Sequence, residues 1–461
     1  MSKKRLKKIL ILGILSVLIL TGCEKLVVKS PTELIHPPKL AVDQEELREV
    51  VDQMLPEKTQ LTSGMGDKSV AAINYIDLDN DGGDEAIVFY KSQNQEYFAG
   101  VMILMHTESG WEIYDIKNEI ANDVEEVYFK DVTNNGVKEI IVGYVGEQNF
   151  DNYLVIYSVQ EREGVSRIFE KSYNELALAD FDYDDKIEIV LFQLDRNVLA
   201  KAELYKANKG TIYFLNEYEI QDFVSNYDNI AVGNLYKDDI GIVVDFRVGV
   251  HTADSIMLKV EKNKLVNIVE TNKRIDIINK LSDGNYFIKS QDIDGDGIIE
   301  VGEFIKPIGY ETIMNRNIPY IERWRTWDGK DSLVFDRQSY INYDYRYRFL
   351  FPKKWNDQIT IVSNDNRNVE DSKQLVYVTE DGQSLLSLYT LIVVENKQWG
   401  ELEAKLKKDG KKYDVVAQNA TMRYIIIDDE YELSIDKYES SFKSMKLSKE
   451  ELLEGFDFLK E

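Results

Sequence analysis

Cysteine is all but absent from this sequence: Cys23 is the only one in 461 residues. A single thiol excludes a disulfide framework within the chain and any metal site built from paired cysteines. Histidine is nearly as scarce. His36, His106 and His251 lie far apart without metal-ligand spacing, and they read as surface or satisfied core residues rather than catalysts. Seven prolines against 28 tyrosines favour strands over disorder. Basic residues are outnumbered 56 to 82, for a net charge of −26. A surface that acidic repels nucleic acid and anionic headgroups, so the body of the protein is not expected to bind either. The sequence also lacks a nucleophile elbow and a glycine-rich phosphate loop after a strand.

Long apolar runs are missing too, except at the start. Lys3, Lys4, Arg5, Lys7 and Lys8 precede an apolar run from Ile9 to Leu20, which is shorter than the ~20 residues a membrane span needs. The run closes on Leu20-Thr21-Gly22-Cys23, which resembles the lipobox of bacterial lipoproteins. The resemblance implies a signal peptide over residues 1–22, cleavage before Cys23 and a diacylglycerol on its sulfur. The protein would then sit at the cell membrane, lipid-anchored on the extracytoplasmic face, since two acyl chains hold a bilayer stably. The alternative is an uncleaved signal anchor with a buried cysteine. Removing residues 1–22 deletes five positive charges and no acid, which takes the net charge from −26 to −31.

Residues 23–42 read as a tether, with Pro31 and the Pro37-Pro38 pair. Residues 43–67 hold a short amphipathic helix, with Asp43 as N-cap and a Leu47, Val50, Val51, Met54 stripe, followed by a lead-in. Beyond it a repeat begins. Five segments over residues 68–340 share a strand, an acidic loop and a second strand rich in Ile and Val. Their loops start at Asp77, Asp131, Asp180, Asn234 and Asp292. Spacing of about 50 residues with three or four strands is that of a β-propeller blade. One blade cannot bury both faces of its sheet, whereas a closed ring of blades can. The expected fold is therefore mainly β: a propeller of about five recognisable blades, then a smaller α+β domain.

The loops carry the chemistry. Asp77, Asp79, Asp81 and Glu85 occupy the first, third, fifth and ninth places of the first loop. Asp180, Asp182, Asp184 and Glu188 repeat that spacing, as do Asp292, Asp294, Asp296 and Glu300. The second loop keeps Asp131, Asn135 and Glu139 but has Thr133 at the third place, so it is the weaker candidate. Alternate carboxylates on a tight turn offer several oxygens to a hard cation, which suits calcium. These repeats resemble the FG-GAP, or VCBS-like, repeats of integrin-type propellers, and the resemblance implies calcium loops. The fourth loop lacks a ninth-place acid and is expected to hold no metal. In the fifth, Glu303 at the twelfth place completes an EF-hand pattern and is expected to make that loop the tightest. An EF-hand needs flanking helices, and the preceding residues 285–289 read as a strand. The competing view of all these loops is acidic hairpin turns without an ion.

After Gly329 the period fails. Residues 341–461 read as an α+β domain in which a meander precedes helices, and Phe351-Pro352-Lys353-Lys354-Trp355 makes it distantly similar to PsbP-type folds. Trp324 and Trp327 read as packing on one face of a strand rather than as a sugar platform. The sequence supports a binding or scaffolding module for a surface protein or glycan. The alternative is an extracellular enzyme, or an accessory of a cell-wall hydrolase, with its site in the central face of the propeller.

Overall fold

A computed structural model describes residues 42–64, 71–92, 98–146, 151–160, 164–220, 223–248, 252–268, 278–281, 288–311, 318–364, 369–382, 384–430 and 436–459. Cys23, His36 and His251 lie outside the described residues. The chain opens with helix α1 (Val42–Met54), so Asp43 lies inside the helix rather than capping it. Leu47 and Val51 are fully buried, while Met54 is half exposed and Leu55 takes its expected place against the core.

Period-two alternation of Ile, Val, Tyr and Phe then builds six antiparallel sheets. The first contains β1 (Thr59–Leu61), β2 (Ile73–Ile76), β3 (Glu85–Ser92), β4 (Ala99–Thr107) and β5 (Gly110–Glu119). The second is β6 (Asp123–Lys130), β7 (Glu139–Val145), β8 (Tyr153–Gln160) and β9 (Gly164–Ser172). The third is β10 (Glu175–Ala179), β11 (Glu188–Asp195), β12 (Leu199–Asn208) and β13 (Thr211–Glu219). The fourth holds β14 (Val224–Tyr236), β15 (Asp239–Val248), β16 (Thr252–Glu261), β17 (Lys264–Asn267) and β18 (Ile278–Leu281). Strands β2–β5, β6–β9, β10–β13 and β14–β17 each form an up-and-down meander, the arrangement of a propeller blade, with β1 added beside β2 on β3 and β18 beside β17 on β16.

The fifth sheet departs from the plan. It runs β19 (Val301–Ile305), β20 (Ile321–Trp327), β21 (Leu333–Asn342) and β22 (Tyr347–Leu350). The sixth sheet comprises β23 (Ile359–Ser363), β24 (Asp371–Val378), β25 (Leu385–Glu395), β26 (Lys412–Gln418) and β27 (Met422–Asp428). Helices α2 (Trp399–Lys408), α3 (Glu439–Met445) and α4 (Lys449–Gly455) accompany it. A last strand, β28 (Phe456–Phe458), returns to pair with β22 in the fifth sheet. Helix α4 therefore stops at Gly455. A Cβ there would lie 3.0 Å from the Leu350 carbonyl oxygen, and glycine lets the chain approach that strand. The division expected at 340/341 falls inside β21.

Successive sheets stack through the alternate faces of their strands. Ile87 and Phe89 of β3 pack on Ile140, Val142 and Tyr144 of β7, while Ile141 packs with Ile189 and Leu191 of β11. Val190 and Phe192 meet Ile242, Val244 and Phe246 of β15, and Val243 meets Val301 and Trp327. Among the described residues no apolar cluster joins the first sheet to the fifth. Instead α1 covers the remaining face of the first sheet, with Leu47 and Val51 against Ala86, Val88, Tyr90, Met102 and Trp111. The fifth sheet shares one core with the sixth, through Ile321, Tyr340, Tyr347 and Phe349 against Trp355, Ile361, Leu391 and Phe442. The two tryptophans also separate. A spacing of three in a period of two puts them on opposite faces: Trp324 packs with Ile288, Phe304 and Ile341, and Trp327 with Leu235, Val243 and Met257.

Candidate functional site

Four loops with one internal geometry lead into β3, β7, β11 and β19, in sheets one, two, three and five. The first-place aspartate accepts the sixth-place backbone N–H in each. The pairs are Asp77 with Gly82 (3.2 Å), Asp131 with Gly136 (2.8 Å), Asp180 with Asp185 (2.9 Å) and Asp292 with Gly297 (2.9 Å). That bond requires a left-handed turn at the sixth place, where φ is 91°, 90°, 63° and 87° in order. Glycine adopts it freely in three loops, while Asp185 tolerates it in the other.

The ninth-place glutamate closes each loop from the opposite side. Its Oε2 accepts the second-place N–H: Leu78 to Glu85 (2.9 Å), Val132 to Glu139 (2.9 Å), Phe181 to Glu188 (2.8 Å) and Ile293 to Glu300 (2.9 Å). Second-place side chains plug the inter-sheet cores, and Leu78, Val132 and Phe181 are all at most 2% exposed. Leu235, second in the degenerate fourth loop, is likewise fully buried. This second-place apolar residue was missed in the sequence, although it is legible there as the hydrophobic letter after each loop's first residue.

Burial raises the carboxyl pKa of all four glutamates, against the lowering effect of the backbone bond. Glu300 is pushed up to about 7, with Asp294, Asp336 and Asp296 adding repulsion. Such clusters carry surplus negative charge, and the loops differ in whether and how it is answered.

In the first loop, Asp77, Asp79 and Glu85 can each bring an oxygen within 4.8 Å of the others. Asp77 Oδ1 is buried without a hydrogen-bond partner, and no basic side chain pairs with these three acids among the described residues. Lys138, from the neighbouring loop, donates instead to the backbone oxygens of Asp77 (2.6 Å, from Nζ) and Leu78 (2.7 Å, from N). Asp81, expected as a ligand, falls outside the group; its Oδ1 accepts the Gly83 N–H at 2.7 Å. In this loop the donors fit a hard cation such as calcium.

The second loop is internally satisfied. Thr133 Oγ1 donates to Glu139 Oε1 at 2.7 Å, Thr133 N to its Oε2 at 3.1 Å, and Asn135 Oδ1 is taken by the Val137 N–H. In the third loop Asp180, Asp182, Asp184 and Glu188 do converge, but around the ammonium of Lys206. Its Nζ lies 2.7 Å from Asp182 Oδ2, 2.9 Å from Asp184 Oδ2 and 2.7 Å from Glu188 Oε1. Burial alone would lower the pKa of that amine. The bonds to Asp182, Glu188 and Asp184 override this and hold it above its ordinary value.

The fifth loop brings together Asp292, Asp294 and Glu300, whereas Asp296 Oδ1 is held by the Ile298 N–H at 2.8 Å. The Arg337 guanidinium pairs with Asp294. Glu303 does not join the loop. It points to Arg323 (2.8 Å) and Arg325 (3.0 Å), so the reason for expecting the tightest site here is gone. Among the described residues no helix flanks this loop, which is bounded by a Gln291–Glu300 bridge and β19; residues 285–287 of the expected preceding strand lie outside the described residues.

Neighbouring loops are hydrogen-bonded into a belt at one end of the sheets. Asn80 donates to Gly136 O at 2.8 Å, Tyr183 donates to Asp238 O, and Ile299 N donates to Asn234 O at 2.8 Å. At the opposite end of sheets two to four lie two adjoining clefts that share Asp151. One, of about 870 Å³, is lined by Ile120, Gly146, Tyr153, Glu170, Lys171 and Ser172. The other, of about 450 Å³, is lined by Asn174, Glu175, Asp195, Arg196, Asn226 and Tyr227. His106 is exposed and sits edge-on to Trp111, one residue past the Met105 that stands beside Glu85, and it pairs with none of the loop acids.

The architecture defines a mainly β, propeller-like protein. No protein-family model matches the chain, and no curated protein does. Among solved structures it is similar to a candidate 6-phosphogluconolactonase from Bacteroides uniformis at 10% identity and a TM-score of 0.32, over 67% of this chain and 82% of that one. It is also similar to Sqt1 of Saccharomyces cerevisiae, at 11% identity and 0.30, over 66% and 84%. A third likeness is to the Dos1 propeller, at 10% and 0.26, over 70% of each chain. No helix among the described residues is long and apolar enough to cross a membrane.

Proposed function

We propose that the chain is a lipoprotein anchored through Cys23 on the extracytoplasmic face of the membrane, where its FG-GAP-like array is a binding or scaffolding module for a surface protein or glycan. Calcium in the loop of Asp77, Asp79 and Glu85 stiffens the belt end. The opposite end presents the partner surface. The observation that carries the reading is the pair of adjoining open clefts around Asp151: each holds acids, one basic side chain and one tyrosine, and the second adds the amides Asn174 and Asn226. Hydrogen-bonding side chains beside aromatic faces are what a glycan or a polar peptide segment uses. The buried acids favour this over catalysis, because each ninth-place glutamate is engaged in its own loop and they do not converge on one centre.

The test is site-specific photo-cross-linking of the full-length chain in its native membrane. A cross-linker at residue 151 or 170 should yield one defined adduct that a cross-linker at exposed Lys209 does not. Equal adducts at all three positions would refute the assignment of this end.

A further inference from the structure

Three of the four acidic loops stand over a neutral side chain, and one does not. Glu188 lies next in register to Lys206, because Ile189 pairs with Tyr205 and Val190 with Leu204. The same step places Met105 beside Glu85, Ser158 beside Glu139 and Thr326 beside Glu300. Lys206 is only 6% exposed although it carries a charge, in a strand whose neighbours Tyr205 and Ala207 are buried apolar residues. A lysine is so deeply buried only when its ammonium is paired, and here three carboxylates from a single loop receive it at 2.7–2.9 Å.

We propose that Lys206 is the resident cation of the third loop, a tethered substitute that excludes a divalent ion from the loop best supplied with acids. The carboxylate oxygens that would bind calcium already bind the amine. An ion entering must displace an ammonium whose stem is held in the strand and which has no solvated position at the same depth. The middle of the array is then held together independently of calcium, and metal dependence is confined to the loops at its two ends. This inference rests on the reading of the acid spacing as a cation site, but not on whether the first or fifth loop binds metal.

Calcium titration of the full-length chain in detergent tests it, with the number of ions bound as the readout. Lys206→Met keeps the stem and removes the charge, and it should bind one calcium ion more than the wild type. Its melting temperature should drop in EDTA and recover in calcium. In the wild-type background, Asp182→Asn with Asp184→Asn should leave the number of ions unchanged. If that pair loses one ion, or if Lys206→Met binds no more than the wild type, the proposal is overturned. A wild type that binds no calcium beside a Lys206→Met variant that binds one supports the tethered cation and refutes only the first-loop assignment. Should Lys206→Met fail to fold in either buffer, the carboxylate pair in the wild-type background decides.

Discussion

Replacing Asp77 and Asp79 with asparagine should reverse sign between EDTA and calcium. Without a cation, Asp77, Asp79 and Asp81 each raise the Glu85 carboxyl, adding to the larger effect of burial. Removing two of these charges relieves repulsion, so in EDTA the variant should melt at or above the wild type. In calcium the order inverts. Extracellular calcium modules bind at about 10⁻⁴ to 10⁻³ M, and a site filled at a hundredfold excess stabilises the fold by roughly 2.7 kcal/mol. Unfolding entropy near 2.1 cal/mol/K per residue gives about 0.9 kcal/mol/K for the roughly 440 residues from Cys23 onward, and hence a shift of about 3 °C. Scanning calorimetry of the full-length pair in both buffers resolves a difference of that size. If calcium shifts both proteins equally, the Asp77 cluster is not the site. If it shifts neither, the loop is a solvated turn closed by Glu85 alone.

Three further outcomes follow from separate parts of the molecule. Cys23→Ala should abolish incorporation of radiolabelled palmitate, and equal labelling of both proteins would remove the lipid anchor. Trp355→Ala should cost about 3–5 kcal/mol, and more because the Met445 carbonyl loses its 2.7 Å bond from Nε1. The loss should destabilise the fifth and sixth sheets together, and hydrogen exchange confined to the sixth would contradict their shared core. Glu322 is buried, and burial raises its carboxyl above the ordinary value of 4.5 despite Arg348 and Ser339. The folded state therefore binds more protons than the unfolded state above that pH, and stability falls as pH rises through the window. Glu322→Gln should flatten the urea midpoint against pH, and parallel curves for variant and wild type would count against that assignment.

Much of this molecule was legible because its loops are local. The turn that joins two strands is written in nine consecutive residues, so the acid spacing from Asp77, Asp180 and Asp292 and the departure at Thr133 could be read directly. The order of elements after Phe351 was legible for the same reason, since Leu385–Glu395 and Trp399–Lys408 declare themselves by period. What stayed hidden depends on pairing across strands. Lys206 is 18 positions beyond Glu188 and Arg337 is 43 beyond Asp294, and only strand register brings each cation to its acid. Glu303 misled because a twelfth-place acid is a ligand only on a helix; in β19 its side chain faces Arg323 and Arg325 instead. The return of Phe456–Phe458 to the fifth sheet likewise rests on a distant partner, where Phe456 stacks on Tyr347 at 5.3 Å.

The differences among the loops are therefore better read as different neutralisations of one frame than as decay of a metal site. The first-place aspartate and the ninth-place glutamate do structural work in all four loops, since they satisfy backbone N–H groups on either side of the turn. Those acids must be kept whether or not metal binds, and keeping them leaves a surplus of negative charge beside a buried carboxylate. A hydroxyl answers it in the second loop by donating to Glu139. A lysine answers it in the third, and an arginine pairs with Asp294 in the fifth. Only in the first does the surplus stand without a side-chain donor or cation among the described residues. That loop also adjoins the sheet whose other face is covered by α1, the segment nearest the proposed anchor. Calcium there would tighten the end of the array that α1 covers.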